Sequence, residues 1–511
     1  MTSRKDMRVR YKILVVLTFL LLALVAYFRL RVGLVRYFDT DEFPYLNWSY
    51  HMAIGYRPYV DFFFLISPLY LLFHIPTMML FQGMSSAIAA RVSAWILTLT
   101  LSALLGTFFY LWKKNLLGAL LCALILLVLP MPSDKFFEIR PDPLAMVFFL
   151  SGLLLLFISF KSKKKIVFFF TGLFFALSLL TLQKVLPFIF LCAFAVILKN
   201  FREIGKERFF RSSILLFLFG LSIPLGVFTV WAFSTGSPDV VFYSLIKLPV
   251  ELAEWYRYSR LPVTFYFWPN NTYYGTDGTT LGNVFNSILW IFGSGIALLR
   301  LIQSTISKIP IRPFEHLRLS SPPEFTVLLA CLLFLSYGIY YVSLIRFPQY
   351  LIPSAIFLSF FIADGLIFIA GRLSGSWISS IFFVSLLILF GKSFFYVHLP
   401  KMYPNRLNTS YFTRAEKISS QIPRGEYVLD LDGITLYYPY PYYFCCLPWP
   451  LTRYPTHTFP SLKDALIKTH TKYIYEGPTD WVGHFNPDDL DYLKANYEQE
   501  PGKEYWVRKK T

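Results

Sequence analysis

Residues 62–81, FFFLISPLYLLFHIPTMMLF, form a twenty-residue stretch that is almost wholly apolar, and whether it crosses a membrane decides the orientation of every later segment. If it crossed, Lys113, Lys114 and the basic clusters between residues 161 and 318 would all face outward. Short Lys/Arg-rich loops instead stay on the cytoplasmic side. The stretch is also broken by Pro68, His74 and Pro76, and a proline inside a helix removes a backbone hydrogen bond and clashes with the preceding turn. The expectation is a broken helix lying along the outer interface, with the first return span at about 85–112.

The rest of the chain supports a membrane reading. Its 511 residues are 56% apolar, 19% aromatic and only 15% charged, with a mean hydropathy of +0.52. A soluble fold cannot hide that much apolar surface. Residues 13–28 follow a basic N-terminus but run too long for a signal-peptide core, which makes them an uncleaved anchor with the N-terminus cytoplasmic. Further runs near 116–131, 143–160, 166–181, 185–198, 213–233, 282–303, 324–343, 349–371 and 377–395 alternate in direction, giving about eleven spans. Every strongly basic loop then falls inside. The formal charge of +18 is concentrated there, because residues 396–511 carry 13 acidic against 14 basic side chains. The charge is an orientation signal and gives no reason to expect nucleic acid as a partner.

The expected fold class is a polytopic α-helical membrane protein of about eleven transmembrane helices with a small C-terminal α/β soluble domain. Residues 1–395 form the membrane domain, whose first external loop is 31–84, and residues 396–511 form an extracytoplasmic domain. Within the latter, 427–432, 472–475 and 505–508 have strand composition. Residues 461–470 and 486–497 read as helices with Ser461 and Asn486 as caps. Cys122, Cys192 and Cys331 sit in apolar runs as packing residues, and adjacent Cys445 and Cys446 do not suggest a disulfide framework.

Acidic residues are scarce in the membrane part, so their positions carry information. The first external loop opens with FDTDEF, placing Asp39, Asp41 and Glu42 just beyond the first span. The second is SDKFFEIRPD, with Asp134, Glu138 and Asp142 flanking Arg140. Carboxylates at a membrane boundary are candidates for a general base or for holding a divalent cation. Arg91 and Asp364 lie inside apolar runs, and Asp364, at the opposite end from the acidic loops, reads as an interhelical partner. An aromatic and charged segment from Glu251 to Tyr274 is a further candidate for sugar or acceptor contact.

FDTDEFPYLNWSYHMAIGYRPYVDFF followed by SPLYLL, together with EIRPD at 138–142 and RFPQYLIP at 346–353, resembles the GT-C membrane glycosyltransferases. The likeness is to the bacterial Rgt/ArnT-like and protein O-mannosyltransferase-like group, and the family's Asp-Glu pair after the first span matches Asp41 and Glu42. The chain departs from ArnT-like members at Leu65 and Ile66, where those have an acidic-basic pair before Pro-Pro-Leu.

The resemblance implies a glycosyltransferase that takes a sugar from a polyprenyl-phosphate donor and passes it, with inversion, to a glycan, lipid or protein acceptor on the extracytoplasmic face. It implies Asp41 as general base, with Glu42 beside it and Asp39 as the rival, and partial burial at the interface would help tune that base. Glu138 and Asp142 form the second acidic cluster, and Asp41, Glu138 and Asp142 are the ligands if a divalent cation is used. Arg140, Lys184, Arg346 and Arg57 are the basic residues able to meet the donor phosphate. The location implied is a cell inner membrane, in contact with membrane lipid. The competing reading is a transporter or flippase of lipid-linked saccharides, whose polar groups would instead gather near the bilayer midplane.

Overall fold

A computed structural model describes residues 4–162, 164–202, 207–255, 262–269, 279–306, 323–343, 346–373, 377–444, 458–459, 461–477, 485–499 and 503–509. The chain runs α1 (Arg4–Val35), α2 (Glu42–Ala53), α3 (Leu69–Leu80), α4 (Met84–Lys113), α5 (Leu116–Val128), α6 (Pro141–Ser162), α7 (Ile166–Thr181), α8 (Leu186–Arg202) and α9 (Glu207–Ser234). It continues with α10 (Pro238–Ile246), α11 (Leu248–Trp255), α12 (Thr280–Ile306), α13 (Pro323–Val342), α14 (Ile352–Arg372), α15 (Trp377–His398) and α16 (Thr409–Gln421). Strand β1 (Val428–Asp430), α17 (Leu462–Lys468), β2 (Tyr473–Tyr475), α18 (Pro487–Asn496), β3 (Tyr497–Gln499) and β4 (Tyr505–Arg508) complete it.

Among the described residues eight helices are long and apolar enough to cross a membrane, and α3, α5, α7 and the α8 region are shorter apolar helices. Together they account for the expected runs, so the protein is a multi-pass membrane protein. Pro68 stands at the N-cap of α3, but the helix runs unbroken through His74 and Pro76, so the break expected there is absent: those residues are accommodated within one short helix. Residues 62–68 are largely irregular, and α3 has 12 residues, about 18 Å at 1.5 Å per residue. That is shorter than a hydrocarbon core of about 30 Å, as is the 13-residue α5. Met79 and Leu80 at its end and Phe81 just beyond it are exposed apolar residues, and α4 is long enough to span.

Helices α5 and α14 are the centre of the bundle, buried along most of their length, whereas α1, α9 and α15 carry exposed apolar residues suited to lipid. Helices α7 and α9 approach closely at two glycines. A Cβ on Gly172 would stand 2.0 Å from the Phe217 carbonyl oxygen, and one on Gly220 would stand 2.0 Å from that of Phe169. At the basic end of the bundle Asp364 accepts from Arg300 at 2.6 Å and pairs with Lys113 at 3.1 Å, the interhelical role expected of it.

The C-terminal sheet has the order β1-β2-β4-β3, with β1 and β2 parallel and the other pairs antiparallel. Ser461 caps α17 by accepting from the Asp464 amide at 3.0 Å. Asn486 occupies the cap position of α18, but its side chain makes no capping bond. Tyr497 was expected to end that helix and instead begins β3, paired with Arg508 of β4. Cys445 and Cys446 lie outside the described residues.

Candidate functional site

The acidic loops meet at one end of the bundle. The segment after α1, the first turn of α2, the N-terminal part of α4 and the α5–α6 connection pack into a buried set of ion pairs. Arg91 of α4 grips Glu42 through both carboxylate oxygens at 2.7 and 2.9 Å, and it also donates to the carbonyls of Gly33, Arg36 and Tyr37. Both partners are fully buried. Glu42 also accepts the Asp39 amide at 2.8 Å and the Ile139 amide at 3.2 Å. It is therefore a structural tie between the two loops, with no free lone pair directed at solvent.

Asp39 is similarly committed. Its oxygens take Lys135 at 3.1 Å and Arg140 at 2.9 Å, and the Asp41 amide at 3.2 Å. Burial alone would raise its pKa, but Lys135 and Arg140 outweigh burial and hold it well below the carboxylate range. Glu138 is fully buried and takes Arg36 at 3.3 Å, Lys135 at 2.8 Å and Arg140. Asp134 pairs with Arg36 and with Lys401, which follows α15.

Asp41 differs from all of these. It occupies the N-cap position of α2, its side chain is 43% exposed, and one oxygen meets Arg140 at 2.9 Å. The burial expected at Asp41 falls instead on its neighbours Asp39 and Glu42. Asp142, in the first turn of α6, is 6% exposed, and among the described residues no hydrogen bond or ion pair reaches its carboxylate. Both residues line one cavity of about 290 Å³.

The helical spacing of Asp41, Pro44, Tyr45 and Trp48 puts one face of α2 on this cavity. Phe64, Arg140, Gln183, Lys184, Gln349 and Tyr350 complete much of the remaining wall. Lys184, in the turn between α7 and α8, lies 3.8 Å from the centre of the Tyr350 ring, and among the described residues it has no carboxylate partner. The cavity thus joins an open carboxylate, an Arg-held carboxylate, an uncommitted ammonium and aromatic walls.

Other expected site residues lie elsewhere. Arg57 is paired with Asp61 at 2.8 Å and donates to the Thr235 carbonyl, outside the cavity lining. Arg346 donates to the Tyr341 carbonyl at 3.0 Å and is also outside it. Arg140 lines the cavity, but Asp39, Asp41 and Glu138 share its guanidinium, and together they overcome burial to keep it firmly charged. Of the segment 251–274, residues 256–261 and 270–274 lie outside the described residues, and Leu252 lines the cavity.

The proposed cation ligands do not fit a resident divalent ion. Glu138 is filled by three basic groups and Asp41 is held by Arg140. Among the described residues no three His, Cys, Asp or Glu side chains form a metal-holding group.

Sequence reasoning did not single out Arg36, Lys135, Lys401, Gln183 or Tyr350. The only signal for Lys135 was its place among alternating charges in SDKFFEIRPD; Lys401, more than 250 residues away, had none.

The fold is that of the polytopic GT-C membrane proteins. ArnT from Cupriavidus metallidurans, solved bound to undecaprenyl phosphate, matches over 96% of this chain and 97% of its own with a TM-score of 0.59 at 16% identity. An oligosaccharyltransferase of Archaeoglobus fulgidus, solved in complex with zinc and sulfate, matches over 96% of this chain and 73% of its own with a TM-score of 0.50 at 13% identity. No protein-family model matches the chain, and no curated protein matches it by sequence.

Proposed function

We propose that the protein is a glycosyltransferase that moves a sugar from a polyprenyl-phosphate donor to an acceptor hydroxyl, with inversion, at the end of the bundle where the acidic loops meet. The observation that carries this reading is the cavity itself, where Asp41, Asp142 and Lys184 share one space walled by Tyr45, Trp48 and Tyr350. The fold it shares with ArnT supports a lipid-linked donor.

In this mechanism Asp41 accepts the proton of the attacking hydroxyl as the new glycosidic bond forms. The bond from the anomeric carbon to the phosphate oxygen breaks, and both its electrons leave with the polyprenyl phosphate. Lys184 meets the charge that develops there, since it is the cavity cation without a carboxylate. Arg140 is already shared by three carboxylates, so its part is to hold Asp41 rather than the phosphate. The open carboxylate of Asp142 accepts from sugar hydroxyls and replaces Asp39 as the rival base.

The basic loops at the other end of the bundle support a cytoplasmic N-terminus, an extracytoplasmic site and C-terminal domain (396–511), and residence in an inner membrane. The acids gather at one end, not at the midplane, which disfavours the transporter reading. Purified protein in detergent, given a cell-envelope extract as the source of acceptor, should consume one member of a panel of radiolabelled polyprenyl-phosphate sugars. Consumption of none, by protein that remains folded, would overturn the proposal.

A further inference from the structure

Helix α2 has two faces with different uses. Asp41, Pro44, Tyr45 and Trp48 face the cavity. Phe43, Asn47 and His51, spaced by four residues, form a neighbouring stripe that runs up beside Pro44 and lies against the C-terminal α/β unit. The Asn47 side-chain amide donates to the Gly433 carbonyl. His51 donates from Nδ1 to the Asn47 carbonyl at 2.8 Å and accepts at Nε2 from the Tyr440 amide at 3.1 Å. Its ring stacks on Tyr440 with centroids 4.0 Å apart and planes 6° from parallel.

The C-terminal side of this contact is built to be rigid. Asp430, at the end of β1, accepts from the amides of Asp432, Gly433 and Thr435 and from the Thr435 hydroxyl, at 2.6 to 2.9 Å. That cage sets the turn in which Gly433 adopts φ +81°. The turn presses on the first turn of α2: a Cβ on Gly433 would lie 3.2 Å from Pro44 Cδ and 3.3 Å from Phe43 Cβ. Beyond α2, the Phe63 amide donates to the Tyr443 carbonyl at 2.7 Å, continuing the same contact.

The Glu42–Arg91 pair fixes the start of α2, and Tyr45 against Tyr70 and Trp48 against Phe64 hold its side toward α3. The Gly433 and Tyr440 contacts, about two turns apart along α2, hold a different side, so that the helix is gripped between the two and its rotation is fixed. We propose that the segment from Gly433 to Tyr440 clamps the flank of α2 beside the cavity and so sets the placement of Asp41, making Gly433, Asn47 and His51 positioning residues for turnover. The proposal rests on the reading of Asp41 as base.

The test uses the full-length chain in detergent, with the polyprenyl-phosphate sugar that the wild type consumes as substrate. Hydrogen exchange of residues 42–53 is measured beside kcat and KM. In Gly433→Ala the added methyl crowds Phe43 and Pro44 and strains a turn held at φ +81°, so exchange in α2 should rise and kcat should fall about 10- to 100-fold, the scale of a small misplacement of a reacting group. The donor KM should stay within about twofold, because the donor phosphate is met by Lys184 on another element. His51→Phe keeps the stack but loses both hydrogen bonds, and should shift exchange and kcat in the same direction by less; it carries the test if Gly433→Ala fails to fold. Faster α2 exchange with unchanged kcat, or a fall in kcat with unchanged α2 exchange, would overturn the clamp. Near-normal turnover in Asp41→Asn would instead overturn the reading of the base.

Discussion

Replacing Asp41 with Asn separates chemistry from stability at this site. The change keeps the size of the side chain and its capacity to hydrogen bond but removes the charge that accepts the proton. Loss of general-base help lowers turnover by about 10²- to 10⁴-fold, which corresponds to about 3 to 5 kcal/mol of barrier. The effect on folding is small. Asp41 is 43% exposed, and its one ion pair is with an arginine that keeps Asp39 and Glu138. A pair that open to solvent contributes under about 1 kcal/mol. Glu42→Gln differs, because it discharges a fully buried pair with Arg91 and should lower stability along with activity. Initial rates on the consumed donor, normalised to folded protein by size-exclusion profile and thermal unfolding, distinguish these cases. Asp41→Asn within about threefold of wild type would refute the assignment, and collapse in Asp142→Asn alone would transfer the base to Asp142.

Three further outcomes follow from the same geometry. Lys184→Met should weaken donor binding at least about tenfold while leaving unfolding unchanged, because a charge contact in a partly desolvated site is lost; unchanged affinity in a lipid-donor binding assay would return Lys184 to a headgroup anchor. Arg91→Met leaves Glu42 buried without a cation and should destabilise the chain by about 3 to 5 kcal/mol, read as a lowered thermal midpoint in detergent, and an unchanged midpoint would contradict it. Burial pushes the His51 imidazole down to about 4, against 6.5 when exposed, so between those values the unfolded chain binds more protons than the folded one. Its contribution to stability is then present above about pH 6.5 and falls as pH drops toward 4, and His51→Phe should flatten that part of the stability profile.

Much of the fold could be read from the sequence because lipid imposes one simple demand. A crossing helix must be long and apolar, so α4, α6, α9 and α12 through α15 are visible as runs, and Pro68 marks the start of the short α3, which continues through Pro76. Asp41 was visible too, since an acid directly after a span stands out. Its environment was not. Glu42 and Asp39 look equivalent to Asp41 in FDTDEF, yet the distant Arg91, Lys135 and Arg140 fill them and leave Asp41 on the cavity. Sequence spacing cannot reveal pairs formed across 50 or 100 residues. Arg57 looked free for the same reason, although Asp61, only four residues on in the same turn, was close enough to have been suspected. Strand β3 was hidden because its three residues follow α18 without a break and gain their conformation from β4.

The central claim is that this cavity breaks the sugar–phosphate bond rather than passing an intact lipid-linked sugar. Reconstituting the protein in liposomes with a cell-envelope extract as acceptor source and a doubly labelled donor, one label on the sugar and one on the polyprenyl phosphate, tests it directly. The account predicts that the labels part, with free polyprenyl phosphate appearing as the sugar joins an acceptor, and that Asp41→Asn stops the separation. Movement of both labels together between leaflets, with no free polyprenyl phosphate formed, would contradict it.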